Sequence, residues 1–339
     1  MPRGRAFRLV RGLRAVGATL AWLVLVALSV WAVGALYFDL PFPSARAPAA
    51  IGYVILLMAA LVVVIGRWRK AGVWLVGFVL VLAWWVTLRP SNDRAWQPDV
   101  AQTAWAELDG ERVTIHNVRN FDYRTEDDYV PRWETRTFDL AQMRGVDLFV
   151  TYWGSPWIAH PIVSFQFGDT DYVAISIETR KVLGQTYSAI RGFFRQYELI
   201  YIIADERDVV RLRTNYRQGE DVYLYHIRMS PQRARAIFLD YLRSADALHQ
   251  APTFYNALTT NCTTDIRVHT VATASGAPPP WDWRILLNGK GDELLYERGA
   301  LAGDLPFAEL KRRAWINDAA RAADHASDFS RWIREGQPR

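Results

Sequence analysis

The first 88 residues hold three stretches without a single charge, residues 15–38, 47–66 and 71–88, which are 24, 20 and 18 residues long. Lipid offers no partner to backbone N–H and C=O groups, so a chain crosses a bilayer as a helix of about 20 apolar residues. Three transmembrane helices are therefore expected, at about 15–38, 47–66 and 71–88. Arg3, Arg5, Arg8, Arg11 and Arg14 precede the first stretch, and Arg67, Arg69 and Lys70 separate the second from the third. Only Asp39 and Arg46 lie between the first two. Positive loops stay in the cytoplasm, which places the N-terminus inside and everything after Leu88 outside. The competing reading is a cleaved signal peptide ending at the small residues "SARA", 44–47. A 24-residue apolar core is too long for that, since signal cores run about 7 to 15 residues.

The net charge of +5 divides unevenly. Residues 1–88 carry nine basic side chains and one acid, which leaves 31 basic and 34 acidic residues, a net of −3, in the remainder. No basic block or basic stripe interleaved with aromatics is present there, and nucleic acid is excluded as a partner. The expected location is the cytoplasmic (inner) membrane, multi-pass, with the C-terminal domain in the periplasm.

Cys262 is the only cysteine of the 339 residues. Disulfides form outside the cytoplasm, and this thiol has no partner within the chain, so either chemistry or an intermolecular bridge accounts for it. It follows Asn261 and precedes Thr263, Thr264 and Asp265, with apolar positions recurring only afterwards at Ile266, Val268 and Val271. That pattern starts a helix, whose free N–H groups and dipole favour negative charge at the sulfur. The thiolate is the nucleophilic form. The bland alternative is a cysteine that packs as a small apolar side chain.

β-prone runs fill residues 112–140 and recur at 146–153, 159–167, 172–179, 197–206 and 221–229. Ser230-Pro231 opens a helix with Ala234, Ile237, Phe238, Tyr241 and Leu242 on one face. "APPPWDW", 277–283, is a stiff break, and the segment from about 301 to 333 reads as a helical tail without chemistry. The expected organisation is a membrane part at 1–88, a linker at 89–111, a catalytic domain at 112–275 and a helical tail at 276–339. The fold class is α+β, an antiparallel sheet packed on helices.

A nucleophilic cysteine needs a base, usually a histidine, and a third group to orient it. His269 lies seven positions after Cys262 on the same helix, about 10 Å away and too far to act. His226 reads as a sheet residue, His249 and His325 as solvated, and His116 stays open. His160 begins a strand at a sheet rim and is the best base.

The blocks "NVRNFDYRTEDDY", "IAHPIVSFQFGDTDYVAISIETRK", "YSAIRGFFRQYELIYIIADERD" and "FYNALTTNCTT" resemble the Lnb N-terminal periplasmic domain family over about residues 112–275. That family takes its name from a bacterial lipoprotein N-acyltransferase. The order of histidine first and cysteine later is similar to the circularly permuted papain-like group. The resemblance implies a permuted papain-like domain with Cys262 as nucleophile and His160 as base, and acyl transfer at a membrane surface through a thioester. Phospholipid and lipoprotein are then the candidate substrates, with a cell-wall peptide cleaved by an amidase, or a non-catalytic envelope module, as alternatives. The chain departs from the lipoprotein acyltransferase in carrying its spans before the domain, so the resemblance supports the thiol chemistry better than the lipoprotein substrate.

Glu178 is the candidate third residue, and a hairpin register decides it. A three-residue turn at 168–170 sets His160 opposite Glu178, and a four-residue turn sets it opposite Thr179. Asp169 and Asn120 are the alternatives. The backbone N–H of Cys262 and the Asn261 amide are the candidate oxyanion donors. No metal-ligand spacing and no glycine-rich phosphate loop is present, and no cofactor is expected.

Overall fold

The computed structural model describes residues 3–274 and 276–338, with side chains from residue 11 onward among the first helix's residues. The side chains of Arg3, Arg5 and Arg8 lie outside the described set. The chain forms two compact units, one of residues 1–90 with 188–196 and one of residues 91–187 with 197–339.

The first unit contains α1 (Arg3–Asp39), α2 (Pro43–Val63) and α3 (Arg67–Trp85). All three are long and apolar enough to cross a membrane. Their bounds differ from the charge-free runs by a few residues. α3 starts at Arg67 rather than 71, because backbone hydrogen bonding continues through the basic cluster, and α2 starts at Pro43, whose fixed φ suits a first turn. Val62, Val63 and Ile65 are 86, 76 and 84 % exposed, an apolar surface that lipid accepts and water penalises. Inside the unit, Asp39 accepts hydrogen bonds from Trp85 Nε1 and Gln196 Nε2, both at 2.7 Å.

The second unit is built on ten strands: β1 (Trp105–Asp109), β2 (Arg112–Arg119), β3 (Asp122–Tyr123), β4 (Tyr129–Val130), β5 (Trp133–Asp139), β6 (Met143–Trp153), β7 (Ala159–Phe167), β8 (Asp171–Arg180), β9 (Glu198–Ala204) and β10 (Glu220–Ile227). Its helices are α4 (Glu206–Arg211), α5 (Pro231–Gln250), α6 (Cys262–Ala272), α7 (Gly291–Glu297), α8 (Phe307–Ala314), α9 (Asn317–Ala322) and α10 (Phe329–Trp332). The main sheet runs β1-β2-β9-β8-β7-β6-β10, with β5 also paired to β2, while β3 and β4 form a separate ribbon.

The class is α+β as expected, but the sheet is mixed rather than antiparallel. β2 joins β9 in parallel through Arg119 and Ala204, because β2 takes the edge of β9 that the β6–β8 meander leaves open. Strict alternation gives the sheet two buried faces. Val173, Ile175 and Ile177 of β8, with Tyr201 and Ile203 of β9, pack on Phe238, Tyr241 and Leu242 of α5. Ala174, Ile200 and Ile202 point the other way, onto Val209 and Val210 of α4 and onto Ile316, Ala320 and Phe329.

Two expected boundaries move. The stretch 89–111 is more than a linker, since it contributes β1, the buried Trp96, and Arg94, whose Nη1 lies 3.0 Å from Glu198 Oε2. Residues 276–339 are an integral layer of the unit. Arg334 donates to Asp147 at 2.8 Å and to Glu206 at 2.6 Å, so a buried cation locks the end of the chain to two buried acids.

Candidate active site: a thiol, an imidazole and two supporting shells

Asn261 makes the start of α6. Its Oδ1 accepts the backbone N–H groups of Thr263 and Thr264 at 3.0 and 3.1 Å, and its own N–H donates to Thr264 Oγ1 at 2.9 Å, a reciprocal capping box. Asn261 Nδ2 donates to Ala257 O at 2.9 Å. The side chain expected to help hold an oxyanion is thus committed to building the helix end. What it builds is useful, because Cys262 becomes the first helical residue, where the backbone N–H has no intrahelical partner.

His160 opens β7 and is 8 % exposed. Phe167 pairs with Asp171 and Ile162 with Ser176, so the hairpin has the three-residue turn, with Gly168 in the left-handed region at φ 57° where glycine carries no Cβ penalty. The same register brings His160 and Glu178 together. His160 Nε2 lies 2.7 Å from Ser176 Oγ and 3.1 Å from Glu178 Oε1, and Ser176 Oγ donates to that same carboxylate oxygen at 2.7 Å. The Cys262 side chain is among the groups that favour charge on the His160 imidazole. With Nε2 engaged by Ser176 and Glu178, Nδ1 is the nitrogen left for the thiol, an assignment that rests on the hydrogen-bond network.

Arg213 supports Glu178 from behind. Its Nη2 donates to Glu178 Oε1 at 3.1 Å and its Nη1 to Glu220 Oε2 at 3.2 Å. Arg213 sits in a single π-helical turn, Leu212–Tyr216, that continues α4, and such turns recur at functional sites. Sequence reading missed this residue, since nothing in "RLRTNYR" separates it from Arg211 or Arg217.

Burial acts most strongly on the His160 imidazole and opposes its charge, as Arg213 does, but the charge and hydrogen bond of Glu178 together with the Cys262 side chain prevail and push the imidazole up to about 9. Burial alone would raise the Glu178 carboxyl. The His160 charge and hydrogen bond, Arg213 and Ser176 instead hold it well below the usual carboxylate range. The pair is therefore imidazolium and carboxylate at neutral pH.

A second missed residue is Asn288, 26 positions after Cys262. Its Oδ1 accepts the Ala159 N–H at 2.9 Å, and its Nδ2 donates to Thr263 Oγ1 at 2.7 Å and lies 3.9 Å from Cys262 Sγ. One amide thus joins the strand that holds the base to the helix that holds the thiol. Gly289 makes this approach possible. Its N–H donates to Trp157 O at 3.0 Å, and a Cβ there would lie 2.6 Å from Ile158 N, inside hard contact. The "NG" pair signals a turn in the sequence, but nothing in it indicates proximity to the thiol.

The other expected candidates lie elsewhere. His116 stacks on Trp105 with ring centroids 3.9 Å apart. Asn120 donates to Glu134, and Asp169 is exposed in the β7–β8 turn. His226 pairs with Asp147, His249 with Thr103, and His325 is solvent-exposed. His269 is buried between Asp240 Oδ2 and the Tyr201 hydroxyl, each 2.8 Å away. Among the described residues no group of three His, Cys, Asp or Glu side chains is placed to hold a metal ion.

No curated protein and no solved structure matches the chain. Residues 129–289, which contain His160, Glu178, Cys262 and Asn288, match the family of the Lnb N-terminal periplasmic domain, the family that the four sequence blocks resemble.

Proposed function

We propose that this chain is an inner-membrane thiol enzyme whose periplasmic domain forms an acyl-enzyme on Cys262 and passes the acyl group to an amine or to water. The observation that carries this reading is the Asn288 amide, which ties the start of β7, with His160, to the start of α6, with Cys262, while Glu178 stands behind the imidazole. The charge pattern of the spans supports the orientation, with the N-terminus in the cytoplasm and residues after 90 in the periplasm.

In the first step Cys262 Sγ attacks an ester carbonyl carbon. The C–O bond breaks as His160 delivers its proton to the leaving alkoxide, and a thioester remains. In the second step an amine attacks the thioester, His160 takes the proton that the amine sheds, and the C–S bond breaks to regenerate the thiolate. Glu178 orients the imidazole and stabilises its charge, and Arg213 holds Glu178 in place. The Cys262 N–H and the Asn288 amide are the oxyanion donors, with Asn261 building the helix end that presents the first of them. A phospholipid ester as donor and a lipoprotein N-terminus as acceptor fit this chemistry and the membrane anchor.

The test is the mass of Cys262 in full-length protein purified from its own membranes. A fatty-acyl increment that neutral hydroxylamine removes is expected, with less of it in His160→Ala. Repeated recovery of unacylated thiol, together with cleavage of a wall-derived peptide that Cys262→Ala abolishes, would replace this reading with the amidase.

A further inference from the structure

The second unit buries most of its large apolar residues, and six of those it leaves exposed lie on the segments that carry the site. Trp157 and Ile158 lie two residues and one residue before the start of β7, which carries His160, at 49 and 50 % exposure. Leu286 and Leu287 immediately precede Asn288, at 47 and 43 %, and Trp283 opens the same segment at 49 %. Leu258, four residues before Cys262, is 54 % exposed. The Gly289 N–H bond to Trp157 O fastens two of these segments side by side, and the Asn288 amide ties them to α6. The three segments thus meet around the thiol, and each brings an exposed apolar side chain. A cation sits among them, since Lys290 Nζ lies 5.7 Å from the centroid of the Trp157 ring.

We propose that this rim is a lipid-docking surface that seats the mouth of the thiol site in the headgroup region of a phospholipid bilayer. Exposed apolar surface of this kind marks an interaction site, because water penalises it and single scattered residues do not form it. The occupant follows from the chain. Span α3 ends at Trp85 and the second unit begins at Ser91, a tether that reaches about 20 Å at most, so a bilayer is always within range. Indole rings and a lysine suit that boundary, since both keep an apolar body in the acyl region and a polar tip among headgroups. The docking needs no catalysis, but its consequence rests on the thiol reading above. Ester donors would enter laterally from the membrane, so the donor is a bilayer lipid rather than a soluble thioester.

The experiment uses the full-length chain in a Cys262→Ser background, which makes its outcome independent of the thiol chemistry. Trp157→Cys and Trp283→Cys are each labelled with an environment-sensitive fluorophore and reconstituted into phospholipid vesicles carrying a nitroxide near the top of the acyl chain. Leu108→Cys and Val130→Cys, at exposed positions away from the site segments, serve as references, and Leu286→Cys replaces either tryptophan variant that does not fold. Labels at 157 and 283 should be quenched at least about twofold more than the references, as an apolar face seated about 5–10 Å into the headgroup–acyl boundary requires. Equal quenching at all four positions overturns the proposal. So does a blue-shifted but unquenched label at 157 and 283, which would mean that another protein covers the rim. Iodoacetamide labelling of Cys262 in the wild type judges the thiol reading separately.

Discussion

The second unit contains two buried histidine–carboxylate pairs close to α6, and they behave in opposite ways. His160 with Glu178 is pushed up to about 9, against the cost of burial. His269 with Asp240 is lowered, because burial outweighs the bonds to Asp240. Each ring is held by a carboxylate through one nitrogen, His160 through Nε2 and His269 through Nδ1. The difference lies in what stands behind each acid. Glu178 accepts from the buried Ser176 and Arg213, whereas Asp240 shares its charge with the exposed Arg243 at 2.9 Å. The second nitrogen of His160 is left for the thiol, whereas that of His269 meets the Tyr201 hydroxyl under a stacked Tyr241 ring 3.9 Å away. A histidine beside a carboxylate is therefore not in itself a catalytic signal, and the partner on the far nitrogen decides its role.

The largest expected effect separates these two rings. His160→Ala should lower acyl loading per folded molecule by about 10²–10⁴, the usual contribution of a general acid–base group. His269→Ala should do the reverse. It opens a cavity and strands Asp240 and Tyr201, so the melting temperature falls while loading per folded molecule stays at the wild-type level. Thermal melts run beside the mass measurement check both, and a loading defect confined to the His269 variant would reverse the assignment.

The two asparagines around the thiol give the next contrast. Asn288→Ala should slow loading by roughly 10²-fold, as removal of an oxyanion donor does. Asn261→Ala should cost about 1 kcal/mol of stability as a lost N-cap and leave loading within a few-fold of wild type. Equal chemical defects in both would return Asn261 to the oxyanion site.

Much of this arrangement is legible in the sequence. The three spans follow from runs of uncharged residues, and the strands from β-prone runs with alternation. The N-cap Asn261 marks the start of α6 and so singles out Cys262. His160 and Glu178 were narrowed to one question, the length of the β7–β8 turn, which period-two geometry turned into a test. Arg213 and Asn288 were not legible, because each reaches the site through long-range packing. Arg213 arrives on a π turn between α4 and β10, and Asn288 on a segment whose prolines and tryptophans read only as a break. The parallel β2–β9 contact escaped for the same reason, since no local pattern records which edge a distant strand takes.

The smaller effects lie in the pH dependence of stability, where the two rings again oppose each other. A raised folded-state pKa stabilises fully below the unfolded value near 6.5 and loses that contribution as pH climbs through about 9. His160 should therefore lower stability across that window, by about 3 kcal/mol as an upper limit. His269 is lowered, so its contribution is complete above about 6.5 and is lost as pH falls below it. Denaturant unfolding of the wild type should show the alkaline decline, and His160→Gln should flatten it. A decline that survives in His160→Gln would detach it from this imidazole.

The most direct test of the central claim, that His160 and not His269 serves Cys262, is the rate of Cys262 alkylation by iodoacetamide at pH 6 to 7. Cys262 is the sole thiol, so the reaction reads one site. The wild type and His269→Ala should react at matching rates, well above that of glutathione, and His160→Ala should fall at least about tenfold, as loss of the base that serves the thiol demands. Folded wild-type protein that reacts no faster than glutathione, with His160→Ala indistinguishable from it, would contradict the account.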